Sequence, residues 1–240
     1  APVDAFRDLF APEGDDSANN MASNGDEFAA LTRLLQRQLL FEDERGGLTL
    51  LPAVRSVIYE EMSVEVREAN HQQAAQIRSE RGEYTASAYH YWSAGLPNQA
   101  IDTWFPNRAE EIQRGQAPAA LAIFQQISQT RLDAPRQKQL ALLRSELYQL
   151  AGAPEQTIAE LAQVEWSIED EATPEATLRW GEALDATGDP DGALRKYQQG
   201  IDTATHLFSH SAQLYVHRSA TQLRQRNMTQ AWREAKLARF

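Results

Sequence analysis

Hydrophobic and polar positions in residues 64–240 repeat with a helical period, and turns separate one helix from the next. The turns are marked by Gly82, Gly95, Gly115, Gly152, Gly188 and the pair Arg226-Asn227. A small or short residue follows each turn at Ser87, Ala100, Ala120, Thr157, Ala193 and Ala231. Four residues further on stand Tyr91, Trp104, Phe124, Leu161, Tyr197 and Ala235. Residues four apart share a helix face, so the small residue lets two helices approach and a large one fills the gap to the next pair.

Successive small positions are 13, 20, 37, 36 and 38 residues apart. The last three spacings are near the period of about 34 residues of tetratricopeptide (TPR) repeats, and the pattern resembles that family. The clearest copy has Trp180-Gly181 in a first helix and Gly188-Asp189-Pro190 in the turn, with Ala193 and Tyr197 in the second helix. The resemblance implies an all-α, TPR-like solenoid of antiparallel helix pairs. Such units bury their apolar faces only by stacking, and the array serves as a binding surface.

Residues 1 to about 62 have a different pattern. An apolar face in residues 2–10 predicts a short helix, a polar loop follows Pro12, and Asp26 begins a second helix. Leu40-Phe41 and Leu48-Thr49-Leu50 flank a turn with two glycines, which predicts a β-hairpin, and Pro52 begins a third helix. This order is that of a winged helix. We therefore expect a winged-helix-like module in residues 1–63 and a TPR-like array in residues 64–240.

The N-terminal sequence also resembles the winged-helix segment of STAND signal-transduction ATPases. The resemblance lies in residues 34–40, the hairpin, residues 50–55 and 58–63, and continues through residues 71–75 and 87–95. It implies a regulatory switch with a nucleotide-binding domain upstream of this chain. Many members carry a histidine where this chain has Leu51, so direct nucleotide sensing by the winged helix is not expected.

The composition and charge of the chain exclude some classes of function. The chain of 240 residues has no cysteine and a net charge of −11, which excludes disulfides and argues against nonspecific binding to nucleic acid or an anionic membrane. The charges of the helix after Asp26 cancel, so direct DNA binding is not expected there. No apolar run is long enough to span a membrane, and we expect a cytoplasmic protein. The chain begins at Ala1 and ends inside a predicted helix, as a piece of a longer protein would.

The sequence carries no phosphate-binding loop and no hydrolase or zinc-protease motif, so we predict neither enzyme activity nor a cofactor. His206, His210 and His217 could share one helix face, as metal ligands or as ordinary polar surface. Residues 189–192 resemble part of a calcium loop, but Gln198 stands where the bidentate glutamate belongs. A TPR turn, with Asp189 as the helix N-cap, explains them.

Two further surfaces are candidates for ligands. The aromatic residues Tyr89, Tyr91, Trp92, Trp104 and Phe105 form either a ligand cage or ordinary core packing. The last turn and helices are basic, through Arg218, Arg224, Arg226, Arg233, Lys236 and Arg239 against Glu234. That face is either solvated or meets an acidic partner, such as another domain of the parent protein.

The first helices of TPR pairs line the concave face of the array. In this register the groove residues are Gln139, Leu142, Glu146, Gln149, Leu178, Glu182 and Asp185. Their mixture of apolar and acidic side chains suits a protein or peptide segment with some Lys or Arg, although any TPR repeat has such positions. Two functions follow: a non-catalytic regulatory region of a STAND-type switch, or a stand-alone TPR scaffold whose N-terminal part is a cap.

Overall fold

The computed structural model describes residues 32–37, 39–42, 48–204 and 208–238. The helix predicted for residues 2–10, the loop after it and the helix start at Asp26 lie outside these residues. The described chain forms two compact units that divide between Ile77 and Arg78.

The first unit contains the predicted hairpin. Strand β1 (Leu40–Glu42) pairs antiparallel with β2 (Leu48–Leu50), and Leu40 lies opposite Leu50. Helix α1 (Pro52–Glu61) begins at its proline, as predicted, because proline at the first helical position has the required φ and needs no hydrogen-bond acceptor. Helix α2 (Val64–Glu80) crosses the division between the units. The winged-helix assignment and the domain boundary after Ser63 remain predictions.

The second unit is an array of helices. These helices are α3 (Tyr84–Ser93), α4 (Pro97–Trp104), α5 (Arg108–Gln113), α6 (Ala117–Phe124), α7 (Ala134–Leu150), α8 (Pro154–Ala162), α9 (Thr173–Ala186), α10 (Pro190–Thr203), α11 (Phe208–Arg224) and α12 (Met228–Leu237). Helix α7 packs against α8, α9 against α10 and α11 against α12, while α7, α9 and α11 also pack on one another in succession. Pro106 in the sequence predicts a break in the helix that begins near Pro97. Helix α4 indeed ends at Trp104, and residues Phe105–Asn107 form a 3-10 turn.

The small and large positions of the repeat pattern form the core of the array. All six small residues are buried, and Trp104, Phe124, Leu161 and Tyr197 are fully buried. The helices cross closely at Gly181, where a Cβ would lie 2.3 Å from Cε1 of Tyr197. Ala235, the equivalent of Tyr197 in the last pair, is exposed instead. The repeat register is therefore confirmed, and its last copy differs from the others.

The turns also confirm the pattern. All five predicted glycines adopt a left-handed backbone, with φ of +86° at Gly188. The backbone N–H groups of Gly188 and Asp189 bond to carbonyls of Asp185 and Leu184 in α9, which closes the helix end. Arg226 occupies the same place after α11 with φ of +62°, although it has a Cβ.

We expect Arg226→Gly to raise the free energy of unfolding by about 0.5–1 kcal/mol, because glycine adopts the left-handed conformation without the steric cost of a Cβ. Urea denaturation measures the change. Arg226→Ala is the matched control, since it removes the same exposed side chain and keeps the Cβ. Equal stability of the glycine and alanine variants would show that this backbone carries no strain.

Candidate functional site

Charged side chains from successive first helices meet on one face of the second unit. Arg108 at the start of α5 lies 3.1 Å from Glu146 of α7 and 2.9 Å from Glu175 of α9. Arg179, one turn after Glu175, lies 2.9 Å from Glu146 and 3.0 Å from Glu175. Each arginine therefore pairs with both glutamates, and the four side chains are only 17–24 % exposed. We call Arg108, Glu146, Glu175 and Arg179 the charge quartet.

The same face continues toward the C-terminus through hydrogen-bonded polar groups. Gln149 donates to Glu182 at 2.5 Å, and Glu182 lies 3.1 Å from Nε2 of His217 on α11. Asp185 accepts hydrogen bonds from Thr221 and Arg224, also on α11. We refer to the charge quartet, these groups and their bonds together as the polar ladder. It joins α5, α7, α9 and α11.

Four of the predicted groove residues come together in the polar ladder: Glu146, Gln149, Glu182 and Asp185. Gln139 is half-buried outside it, and its Oε1 has no hydrogen-bond partner among the described residues. Leu178 is partly buried against the core around Ala193 and Tyr197.

The placement of Leu142 corrects the prediction. This side chain is only 2 % exposed and packs with Ala141, Leu161, Trp166 and Ala176. It is covered because α9 lies directly against α7. Leu142 is therefore a core residue and does not offer an anchor to a partner.

The sequence did not single out Arg108, Glu175, Arg179 and His217 as groove residues. One signal was present, since Glu175 and Arg179 are four residues apart and so share a helix face.

These arginines change the net charge of the face. The carboxylates of Glu146, Glu175, Glu182 and Asp185 are opposed by the guanidinium groups of Arg108, Arg179 and Arg224. Four negative charges against three positive ones leave this face almost neutral.

Core packing explains most of the predicted aromatic cluster. The rings of Trp104 and Phe124 lie 5.3 Å apart, and the indole N–H of Trp104 donates to Thr85. Tyr91, Trp92 and Phe105 pack against the same core. Tyr89 is 45 % exposed. The cluster therefore does not surround a cavity as a ligand cage would.

The described residues contain no group of three or more side chains arranged to hold a metal ion. His206 and the side chain of His210 lie outside the described residues, and His217 is engaged with Glu182. Asp189 accepts a hydrogen bond from the backbone N–H of Gly192 at 2.8 Å, which confirms its role as the N-cap of α10. None of the described helices is long and apolar enough to cross a membrane.

Alanine, proline and leucine side chains of α6 and α7 line a shallow pocket beside the array. Its volume is about 240 Å³, and its wall includes Leu121, Leu147 and Leu150. Only Gln125 contributes a polar side chain. The pocket can accept an apolar group but carries no chemistry for a reaction.

No protein-family model and no curated protein sequence matches the chain. Similar solved structures include those of MamA protein and YrrB. The structure of MamA protein is 12 % identical with a TM-score of 0.52, covering 72 % of this chain and 90 % of MamA. The structure of YrrB, described as a TPR protein with an unusual peptide-binding site, is 16 % identical with a TM-score of 0.52, covering 78 % of this chain and 90 % of YrrB. The chain therefore has the predicted fold, an all-α solenoid of the TPR type.

Proposed function

We propose that the second unit is a non-catalytic protein-interaction module that binds a segment of a partner protein along the polar ladder. The observation that carries this proposal is the continuity of the ladder over four first helices, α5, α7, α9 and α11. A continuous polar face of this kind suits an extended segment that is held at several points. The similarity to a peptide-binding TPR protein supports the same proposal.

The two halves of the ladder offer different chemistry. The charge quartet is self-neutralised, since each arginine already has two glutamate partners. Glu182 and Asp185 are less fully compensated, because His217 is charged only when protonated and the side chain of Arg224 is 60 % exposed. Solvent screens an exposed ion pair strongly. We therefore place a lysine or arginine of the partner at Glu182 and Asp185.

The experiment first identifies the partner and then measures its affinity. A photo-crosslinking amino acid in place of Gln149 captures proteins at the ladder, and the same group in place of Glu155, exposed on α8, controls for nonspecific capture. The captured segment is then titrated as a synthetic peptide. We expect Glu182→Lys to weaken its binding at least tenfold, which is about 1.4 kcal/mol, mainly through slower association, with a smaller effect at high salt.

Glu155→Lys is the matched control, because it makes the same charge change on α8, which does not contribute to the polar ladder. Peptide affinity that falls equally in both variants reflects net charge alone. An unchanged affinity in Glu182→Lys contradicts binding at the ladder. The melting temperature of each variant is measured alongside, so that loss of fold is not mistaken for loss of binding.

We further propose that the chain is the regulatory region of a larger cytoplasmic signalling ATPase. The hairpin followed by α1, together with the resemblance of residues 34–95 to STAND proteins, favours this proposal. The alternative, a stand-alone TPR scaffold, is equally consistent with the fold. The reading frame upstream of Ala1 distinguishes them: a Walker A motif supports the ATPase, and its absence supports the scaffold.

A further inference from the structure

The last helix pair exposes large apolar side chains on both of its helices. Val216 and Leu223 on α11 are 53 % and 52 % exposed, and Met228, Trp232 and Leu237 on α12 are 64 %, 63 % and 50 % exposed. We call Val216, Leu223, Met228 and Trp232 the open end. Leu178, which precedes Val216 by 38 positions, is partly buried against the cluster that includes Leu214 of the next helix pair. Val216 thus occupies the position at which an earlier pair contacts the core that it shares with its neighbour.

The charges around the open end are positive. Residues 208–238 contain four arginines and one lysine but a single acidic residue, Glu234, which is buried beside Arg218. Arg226, Arg233 and Lys236 are exposed, and the Lys236 ammonium lies 3.5 Å from the centre of the Trp232 ring. Large apolar groups with a basic rim fit an acidic surface that presents an apolar side chain.

The loop between α8 and α9 is such a surface. Ile168 is 75 % exposed, and Glu165, Glu169 and Glu171 around it are also exposed. We call residues 165–171 the acidic loop.

The acidic loop is held in one conformation by its own bonds. Trp166 is buried, and its indole N–H donates to the carbonyl of Leu161 at 2.8 Å. Asp170 accepts hydrogen bonds from the N–H and hydroxyl of Ser167 and pairs with Lys138 at 2.6 Å. The Lys138 ammonium, with the Ser167 groups, lowers the pKa of Asp170 below its ordinary value, so the carboxylate stays ionised to a more acidic pH. A preorganised loop loses less conformational entropy on binding.

We propose that the open end of one copy of this chain binds the acidic loop of a second copy, with Ile168 against the exposed apolar side chains. Ile168 and the residues of the open end are all exposed within one chain, so the contact is made between copies. Each copy keeps one free surface of each kind. The contact is therefore head-to-tail and extends beyond a dimer as concentration rises. The net charge of −11 opposes close approach of two copies, which makes the association weak.

Sedimentation velocity of the full chain over a concentration series tests the proposal. Wild type is expected to shift to larger species as concentration rises. We compare it with two double variants. The loop variant is Glu169→Lys/Glu171→Lys, and the end variant is Arg233→Glu/Lys236→Glu. Each is expected to associate with itself at least tenfold more weakly than wild type. Mixing the two variants places a basic loop against an acidic end. The unaltered end of the loop variant also meets the unaltered loop of the end variant. The mixture should therefore associate beyond a one-to-one complex, with the two variants alternating, although each variant alone associates weakly.

Glu155→Lys, on the exposed surface of α8, is the charge control and should not weaken association. Circular dichroism establishes that each variant is folded. The apolar contact is tested by Trp232→Ser and Ile168→Ser, each of which should weaken association several-fold. A wild-type chain that stays monomeric throughout the series overturns the proposal. Self-association that survives Trp232→Ser, or folded variants that do not recombine on mixing, also overturns it.

Discussion

Replacement of Arg144 by alanine is expected to lower the free energy of unfolding by about 3–5 kcal/mol, because it removes one partner of a buried ion pair. The guanidinium group of Arg144 donates to the carbonyls of Phe124 at 2.7 Å and of Ile127 at 2.5 Å, and it pairs with Glu160 at 3.3 Å. One side chain on α7 therefore holds the end of α6 and the last turn of α8. Without it, buried carbonyl oxygens lose their donors and Glu160 loses its counter-charge.

Urea denaturation measures this loss as a lower midpoint with an unchanged slope. Arg136→Ala is the control, because Arg136 forms two ion pairs with Asp102 and Asp133 in which every side chain is at least 30 % exposed. That variant should lose no more than about 1 kcal/mol. Equal losses of unfolding free energy in Arg144→Ala and Arg136→Ala would mean that the buried Arg144 contributes no more to stability than an ordinary surface ion pair.

Gly181→Leu is expected to lower the free energy of unfolding by about 1–3 kcal/mol through overpacking. A Cβ at this position would lie 2.3–2.8 Å from three atoms of the fully buried Tyr197 ring, so neither helix can keep its place. Ala193→Leu, at a position that is also fully buried, should act in the same direction. Ala186→Leu on the exposed end of α9 is the control and should have little effect.

A double-mutant cycle identifies the cause. If the leucine collides with the Tyr197 ring, Tyr197→Ala should remove most of the added cost of Gly181→Leu, and the two losses should not add. Strictly additive losses would place the strain elsewhere. Thermal or urea unfolding of the four proteins in the cycle provides the measurement.

The repeat pattern predicted the array because its signals are local. A glycine that ends a helix and a small residue that follows it are both set within a few positions of the chain. The hairpin and the end of α4 at Pro106 were predictable for the same reason. Arg226 shows the limit, since its left-handed backbone follows from alignment with Gly188 and not from its own residue type.

The site was less predictable because its chemistry depends on which neighbour each side chain meets. The acidic groove residues were found, but the arginines that neutralise them come from α5, from a different position on α9 and from α11. Leu142 follows a helical period that fits both a groove and a core, and only the approach of α9 decides between them.

One pair of equivalent positions is filled differently in successive repeats. Arg144 pairs with Glu160, and Arg218 pairs with Glu234. Between these two pairs in sequence, Trp180 and Lys196 hold the same places. The Lys196 ammonium lies 3.4 Å from the centre of the Trp180 ring, and burial lowers the pKa of Lys196. A cation–π contact thus replaces an ion pair without changing the backbone register.

The polar ladder has a mechanical consequence. Its bonds between Glu146 and Arg179, and between Asp185 and Arg224, each cross from one helix pair to the next. In a linear array, such contacts set the coupling between neighbouring units and therefore how far one unit can open alone. They also resist stretching, because extending the array separates the opposite charges that pair across it. Salt weakens such attractions, most of all at the exposed Arg224. The stiffness of this solenoid is therefore expected to vary with ionic strength.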